Sequence, residues 1–236
     1  MIALMHPALA ALQQRFPLAT SRVQIADWQF ELSRPANPDD LISEPDFDRD
    51  GRLPYWAELW PSATAMAERI AAEKGRGRRL LELGCGLGLV TLAAIRAGFE
   101  VVATDYYDEA LAFTEANALR NGLATPATRL VDWRRFPAGL GRFDLVVASD
   151  VLFEKPNIPL VVAAFLRSIL PGGEGWLTDP GRPPAAAFAA ECNSQGLRIV
   201  AKRQLPVVKP GNSERPAARQ MIDFHELALP QSSADA

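Results

Sequence analysis

Residues 80–94 read LLELGCGLGLVTLAA, and this stretch constrains the chain more than any other. An apolar run of strand length meets Gly84, Gly86 and Gly88, then an apolar run of helical character. Glycine permits the positive φ angles of a sharp turn and lets a ligand approach the main chain closely. A helix starting there aims its unpaired N–H groups at the same place. The unit opens a parallel α/β sheet, and the chain repeats it. EVVATD is a strand, and EALAFTEANALRNG a helix stopped by Asn121-Gly122. TRLVD is a strand, and FDLVVASD is continuously apolar in the manner of a buried parallel strand. IPLVVAAFLRSILPGG reads as a helix closed by Pro-Gly-Gly, EGWLTD as a strand and PAAAFAAECNSQG as a helix. LRIVAKRQL and RQMIDFHEL end the pattern as two strands. Only the polar loop PVVKPGNSERPAA joins them, so they are expected to pair antiparallel at one edge. Pro61 opens a helix before the first core strand, with Ala63, Met66, Ala67 and Ile70 at helical spacing and Gly75 and Gly77 after it. The expected fold is α/β and doubly wound, Rossmann-like. Its seven-stranded sheet is mostly parallel with an antiparallel edge strand, and helices cover both faces.

Residues 1–60 read as an N-terminal extension. It holds a short amphipathic helix in MIALMHPALAALQQRFP, an alternating strand-like segment VQIADWQFEL, and an acidic loop from Asp39 to Asp50. The helix lacks the basic start of a signal peptide. Residues 61–230 form the sheet domain and 231–236 a frayed tail. With 48% hydrophobic residues, a chain of 236 can bury a sizeable core. A net charge of −3 without a basic face argues against a nucleic-acid partner, and no apolar run is long enough for a membrane partner. Cys85 and Cys192, with His6 and His225, offer no metal-ligand spacing. Free thiols suit a reducing compartment, so a cytoplasmic monomer without a metal is expected.

In a doubly wound sheet, ligands bind beyond the carboxyl ends of the strands. The glycines follow GxGxG rather than the dinucleotide pattern GxGxxG, and Leu89 stands where the third dinucleotide glycine would be. Glu82, two residues before the first glycine, would repel a pyrophosphate and attract a cation. The expected cofactor is a nucleoside that carries positive charge and no phosphate. Asp105 ends the next strand, about twenty residues on, where a ribose-binding acid is expected. Asp132 ends the following strand beside Trp133, offering a carboxylate for an adenine amino group and a wall for its ring.

ELGCGLG, Asp105 and Asp132 together resemble the cofactor motifs of the seven-strand S-adenosylmethionine-dependent methyltransferases, over roughly residues 80–150. The resemblance implies S-adenosylmethionine held by Trp60, Glu82, Gly84, Cys85, Gly86, Gly88, Asp105, Tyr106, Asp132, Trp133 and Ser149. LPYWAELWPSATAMAERI, SDVLFE and TDPGRPP are similar to the lysine methyltransferase family 16 type. Its post-strand motif Asp/Glu-x-x-Tyr/Phe reads Asp150-Val151-Leu152-Phe153 here. The PYWA…WP and DPGRP segments look most like the branch acting on the electron transfer flavoprotein β subunit. That implies a protein partner carrying a target lysine, with Asp150 and Phe153 as catalytic residues and Trp56, Asp179 and Arg182 facing the substrate. Phe153 lacks the hydroxyl of the tyrosine that many relatives have. The acidic stretch from Asp39 to Asp50 reads first as a solvated loop, with attraction of a basic protein surface as the alternative. Transfer to a neutral amine needs alignment and exclusion of water more than acid–base power. The alternatives are a methyltransferase for a small amine or heterocycle, and a catalytically silent cofactor-binding module. A nicotinamide dinucleotide oxidoreductase is disfavoured by Leu89 and Glu82.

Overall fold

The computed structural model describes residues 7–41, 53–209 and 218–230. An N-terminal helix α1 (Pro7–Arg15) leads into a two-stranded antiparallel hairpin, β1 (Leu18–Ile25) and β2 (Trp28–Pro35). Then come α2 (Pro61–Ala71), β3 (Arg79–Leu83), α3 (Leu89–Arg96), β4 (Glu100–Asp105), α4 (Asp108–Arg120), β5 (Ala127–Leu130) and β6 (Phe143–Ser149). The chain closes with α5 (Ile158–Ser168), β7 (Ile169–Asp179), α6 (Phe188–Gln195), β8 (Arg198–Lys209) and β9 (Ala218–Ala228). The seven-stranded sheet runs β5-β4-β3-β6-β7-β9-β8. β3 to β7 are parallel. β9 runs against both β7 and β8, so the last two strands form the antiparallel pair at one edge. The chain winds outward from β3 through β4 to β5, then returns to lay β6 on the other side of β3. The crevice for a ligand therefore lies between the carboxyl ends of β3 and β6.

Side chains alternate between two cores, as a pleated strand requires. Leu80, Leu145, Val147, Trp176 and Phe224 meet α2, α3 and the hairpin on one face. Leu81, Leu83, Val146, Ala148 and Leu177 meet α5 and α6 on the other. A third cluster packs Leu9 and Leu12 of α1 against Phe113 and Ala116 of α4.

Three local readings change. VQIADWQFEL is not one strand but the two arms of the hairpin, with Ile25 facing Trp28 across a tight turn. Ala26 takes φ +47°, a left-handed conformation that alanine does not advertise in a sequence. The Leu170–Gly173 segment belongs to β7 rather than to a helix stop, and the ladder shifts register opposite Phe143 and Leu145. Pro206 to Lys209 extend β8, and the 210–217 part of the expected loop lies outside the described residues, as do the tail 231–236 and the acidic positions 42–50. Asp39 and Asp40 sit in a 3₁₀ turn, Pro38–Leu41.

The hairpin is held by two asparagines of α4. Asn117 accepts from the Ser33 N–H (2.7 Å) and donates to the Ser33 carbonyl (3.0 Å). Asn121 does the same for Glu31, at 2.9 and 2.8 Å. Residues four apart on a helix match residues two apart on a strand, so the amides stand in for a third strand. Asn117 also donates to the Leu87 carbonyl (3.0 Å), which ties the hairpin to the glycine loop.

Candidate active site

A cavity of about 420 Å³ opens between the ends of β3, β4 and β6. Its floor is the glycine loop. Gly84 and Gly86 have φ of +77° and +53°, and both line the cavity. A Cβ on Gly84 would come within 3.2 Å of Val151 and 3.8 Å of Trp133, and one on Gly86 within 3.2 Å of the Trp56 carbonyl. Asp105 holds the loop. One carboxylate oxygen accepts from the Gly86 N–H (2.9 Å), the other from the N–H groups of Tyr106 (2.7 Å) and Tyr107 (3.1 Å). Burial raises its carboxyl and those three bonds oppose the rise. Asp132 starts the 3₁₀ turn Trp133–Arg135 and accepts from the Arg134 N–H and Nε, both at 2.9 Å. The Arg134 bonds hold its carboxyl below the usual range. Arg134 also donates to the Tyr106 hydroxyl (2.5 Å) and lines the cavity.

Twelve of the expected residues come together on this wall: Trp56, Trp60, Gly84, Cys85, Gly86, Asp105, Tyr106, Asp132, Trp133, Ser149, Asp150 and Phe153. Four do not. Glu82 lies behind the loop, 1% exposed, and accepts a 2.5 Å bond from the Thr91 hydroxyl. Burial pushes its carboxyl up to about 8; the Thr91 bond opposes this and the Asp105 charge adds to it. At neutral pH Glu82 is mostly protonated, so it does not supply the charge that was expected to repel a pyrophosphate. Gly88 is off the wall as well. A Cβ there would strike Thr114 at 2.8–3.0 Å, so its bareness serves the packing of α4 on the loop. Asp179 and Arg182 stand behind Asp150 rather than on the cavity surface. Cys85 is on the wall but buried, its thiol pushed well above the ordinary range by burial and by the nearby Asp105 and Glu82.

The opposite end of the cavity is aromatic. The Tyr55 ring stands edge-on to Phe153 (5.1 Å between centroids) and to Trp60 (6.2 Å). The Trp60 indole N–H donates to the Tyr55 carbonyl (2.8 Å) and fixes the group. Trp60 thus keeps company with Phe153, not with the glycine loop. Trp56 does the reverse: it packs among Tyr107 and Phe113 beside Gly86, and its ring is core. Tyr55 was missed; its signal was its place in the PYWA segment. Arg134 was missed too, although an arginine two residues after a turn aspartate is the spacing of a capping pair.

Asp150 follows β6 with φ +61°, a conformation aspartate tolerates better than most residues. Its N–H donates to the Thr178 carbonyl (2.9 Å), and its carboxylate is paired with Arg182. Arg182 lies over the Trp60 ring, 5.5 Å from the centroid. Asp179 accepts from the N–H groups of Gly181 (2.7 Å) and Arg182 (3.1 Å), and burial raises its carboxyl.

The bare glycine floor, the Trp133 and Tyr106 walls and the two acids Asp105 and Asp132 fit a nucleoside cofactor in size and chemistry. Residues 80–173 match the family described as a methyltransferase domain. Nocamycin O-methyltransferase of Saccharothrix syringae is 32% identical over 165 residues, 68% of this chain and 57% of that protein. The protein-lysine methyltransferase METTL21E of Mus musculus is 28% identical over 129 residues, 49% of this chain and 52% of that one. The chain thus spans little more than half the length of these curated relatives. The crystal structure of the ribosomal protein L11 methylase from Lactobacillus delbrueckii subsp. bulgaricus superposes with a TM-score of 0.56 at 18% identity, covering 72% of this chain and 79% of that one. Among the described residues no helix is long and apolar enough to cross a membrane. Sheet order, glycine loop and the match over residues 80–173 identify the fold as that of the class I S-adenosylmethionine-dependent methyltransferases.

Proposed function

We propose that this chain is an S-adenosylmethionine-dependent N-methyltransferase whose acceptor is the amino group of a lysine side chain in a protein. The observation that carries the reading is the acceptor end of the cavity, where Tyr55, Trp60 and Phe153 meet beside Asp150. Aromatic faces next to a carboxylate favour an alkylammonium ligand. Glu58 and Glu154 on the same wall add negative charge. The 28% identity to METTL21E supports a protein acceptor.

When bound, S-adenosylmethionine supplies a methyl group on a positively charged sulfur. Gly84, Gly86, Asp105, Tyr106, Asp132 and Trp133 are the residues that would hold it. The chain's own part is then alignment and dryness. The aromatic wall strips water from the acceptor, which lowers an ammonium pKa and favours the neutral amine. Asp150 pulls the other way and keeps the nitrogen in place. A mouth of this kind orients a nucleophile without a dedicated base.

A second reading, O-methylation of a small molecule, is favoured by the 32% identical O-methyltransferase. The two separate in one experiment: transfer from methyl-labelled S-adenosylmethionine into a cell lysate, followed by mass spectrometry. Label on protein lysine is expected, and it should vanish in Asp150→Ala while cofactor affinity changes by less than about threefold. Label confined to small molecules would move the conclusion to O-methylation.

A further inference from the structure

The aromatic end of the cavity offers a hydroxyl as well as ring faces. Tyr55 lines the cavity and is 40% exposed, yet its main chain and ring are fixed. Its N–H donates to the Leu53 carbonyl (2.8 Å), and its carbonyl accepts from the Trp60 indole (2.8 Å). Phe153 and Trp60 brace the ring edge-on, at 5.1 and 6.2 Å between centroids. The hydrogen bonds of Tyr55 are made by its main chain, and among the described residues its phenol oxygen has none. A firmly held ring with an uncommitted oxygen at a cavity wall is suited to orient a ligand.

Phe153, at the end of Asp150-Val151-Leu152-Phe153, brings no hydroxyl to this end. Tyr55 comes from a different element, the 3₁₀ turn Tyr55–Ala57 ahead of the first core strand, and stands against the Phe153 ring. Asp150, Glu58 and Glu154 line the cavity too, but a carboxylate holds an amine by stabilising its charged form. A phenol oxygen accepts an N–H without adding a formal charge. It therefore holds the nitrogen at a smaller cost to the neutral, reactive amine.

We infer that Tyr55 is a specificity-determining residue whose hydroxyl accepts a hydrogen bond from the acceptor nitrogen, in place of the hydroxyl that Phe153 lacks. The inference rests on the amine reading above. A nitrogen that still carries hydrogen gains this bond. A fully methylated nitrogen has no hydrogen to give and meets only ring faces and negative charge. One oxygen thus favours the unmethylated acceptor over the fully methylated one.

The test is calorimetric titration of n-butylammonium chloride and of n-butyltrimethylammonium chloride into the protein saturated with S-adenosylhomocysteine. Wild type, Tyr55→Phe, and Tyr55→Phe combined with Phe153→Tyr are compared. Phenylalanine keeps the ring contacts, and thermal melting with the cofactor product confirms that each variant is folded. Tyr55→Phe should weaken n-butylammonium binding about tenfold, the loss of one hydrogen bond, and n-butyltrimethylammonium binding less than about twofold. Adding Phe153→Tyr should recover most of that loss; no recovery would overturn the exchange between the two rings. Equal weakening of the two ions is what a merely structural ring would give. That result, or n-butylammonium binding unchanged in Tyr55→Phe, would overturn the role of the hydroxyl while leaving the amine reading intact. Failure of wild type to bind either ion would overturn both.

Discussion

Glu82→Gln is a sharp test of how the glycine loop is supported. Glu82 lies on β3 beneath the loop, almost wholly buried, with its carboxyl pushed up to about 8 from 4.5. Between those values the folded protein holds a proton that the unfolded chain has released. The unfolded state then binds fewer protons, so stability falls as pH rises. The contribution of a protonated Glu82 is fully present below about pH 4.5 and is gone once pH passes about 8. At about 1.4 kcal/mol per unit of full slope, this one group costs about 2.5 kcal/mol of stability between pH 5.5 and 7.5. Glutamine is the neutral counterpart, keeps an oxygen for the Thr91 hydroxyl and does not titrate. Urea unfolding of both proteins at the two pH values measures the difference directly, because all other groups titrate in both and cancel. The variant is expected to lose about 2.5 kcal/mol less than wild type over that interval. Equal losses in the two proteins would refute the assignment of a protonated, buried Glu82.

Three further substitutions probe α4 and its contacts. Gly88→Ala places a methyl group 2.8–3.0 Å from Thr114, including its Cα, at a φ of +86°; it is expected to cost about 2–4 kcal/mol in urea unfolding. Gly122→Ala, at a φ of +67° with nothing within 4 Å, should cost only about 1 kcal/mol in the same assay. Asn117→Ala strands the Ser33 N–H and two carbonyls, at about 1–3 kcal/mol each, and hydrogen exchange should show the Ser33 amide opening far faster than the amides of β3.

The strand and helix order was legible because burial on both faces leaves β6 continuously apolar, while α2 repeats with a helical period. The glycine loop and its acids were legible because their spacing is tied to strand ends. What failed was direction and depth. Tyr55 and Trp56 are neighbours in one 3₁₀ turn, yet the Tyr55 ring faces Phe153 while the Trp56 ring turns into the core, and no periodicity distinguishes them over three residues. Glu82 sits on the correct strand, but only its burial beneath the loop reveals that its carboxyl is raised. The pairing of Arg182 is invisible in the sequence because its partners, Asp150 and the Trp60 ring, lie far away along the chain.

The asparagine pair on α4 also decides where the molecule can be cut. Asn117 and Asn121 bond the outer edge of β2, while Ile25, Phe30 and Leu32 of the hairpin lie in one core with Met66 and Ile70 of α2. A fragment starting at Pro61 would expose that apolar face and leave two polar amides with no partner strand. The open patch would recruit other chains, the usual fate of unprotected edges. For crystallisation, for domain fusions and for shortened versions of the chain alike, the hairpin therefore has to travel with the sheet domain.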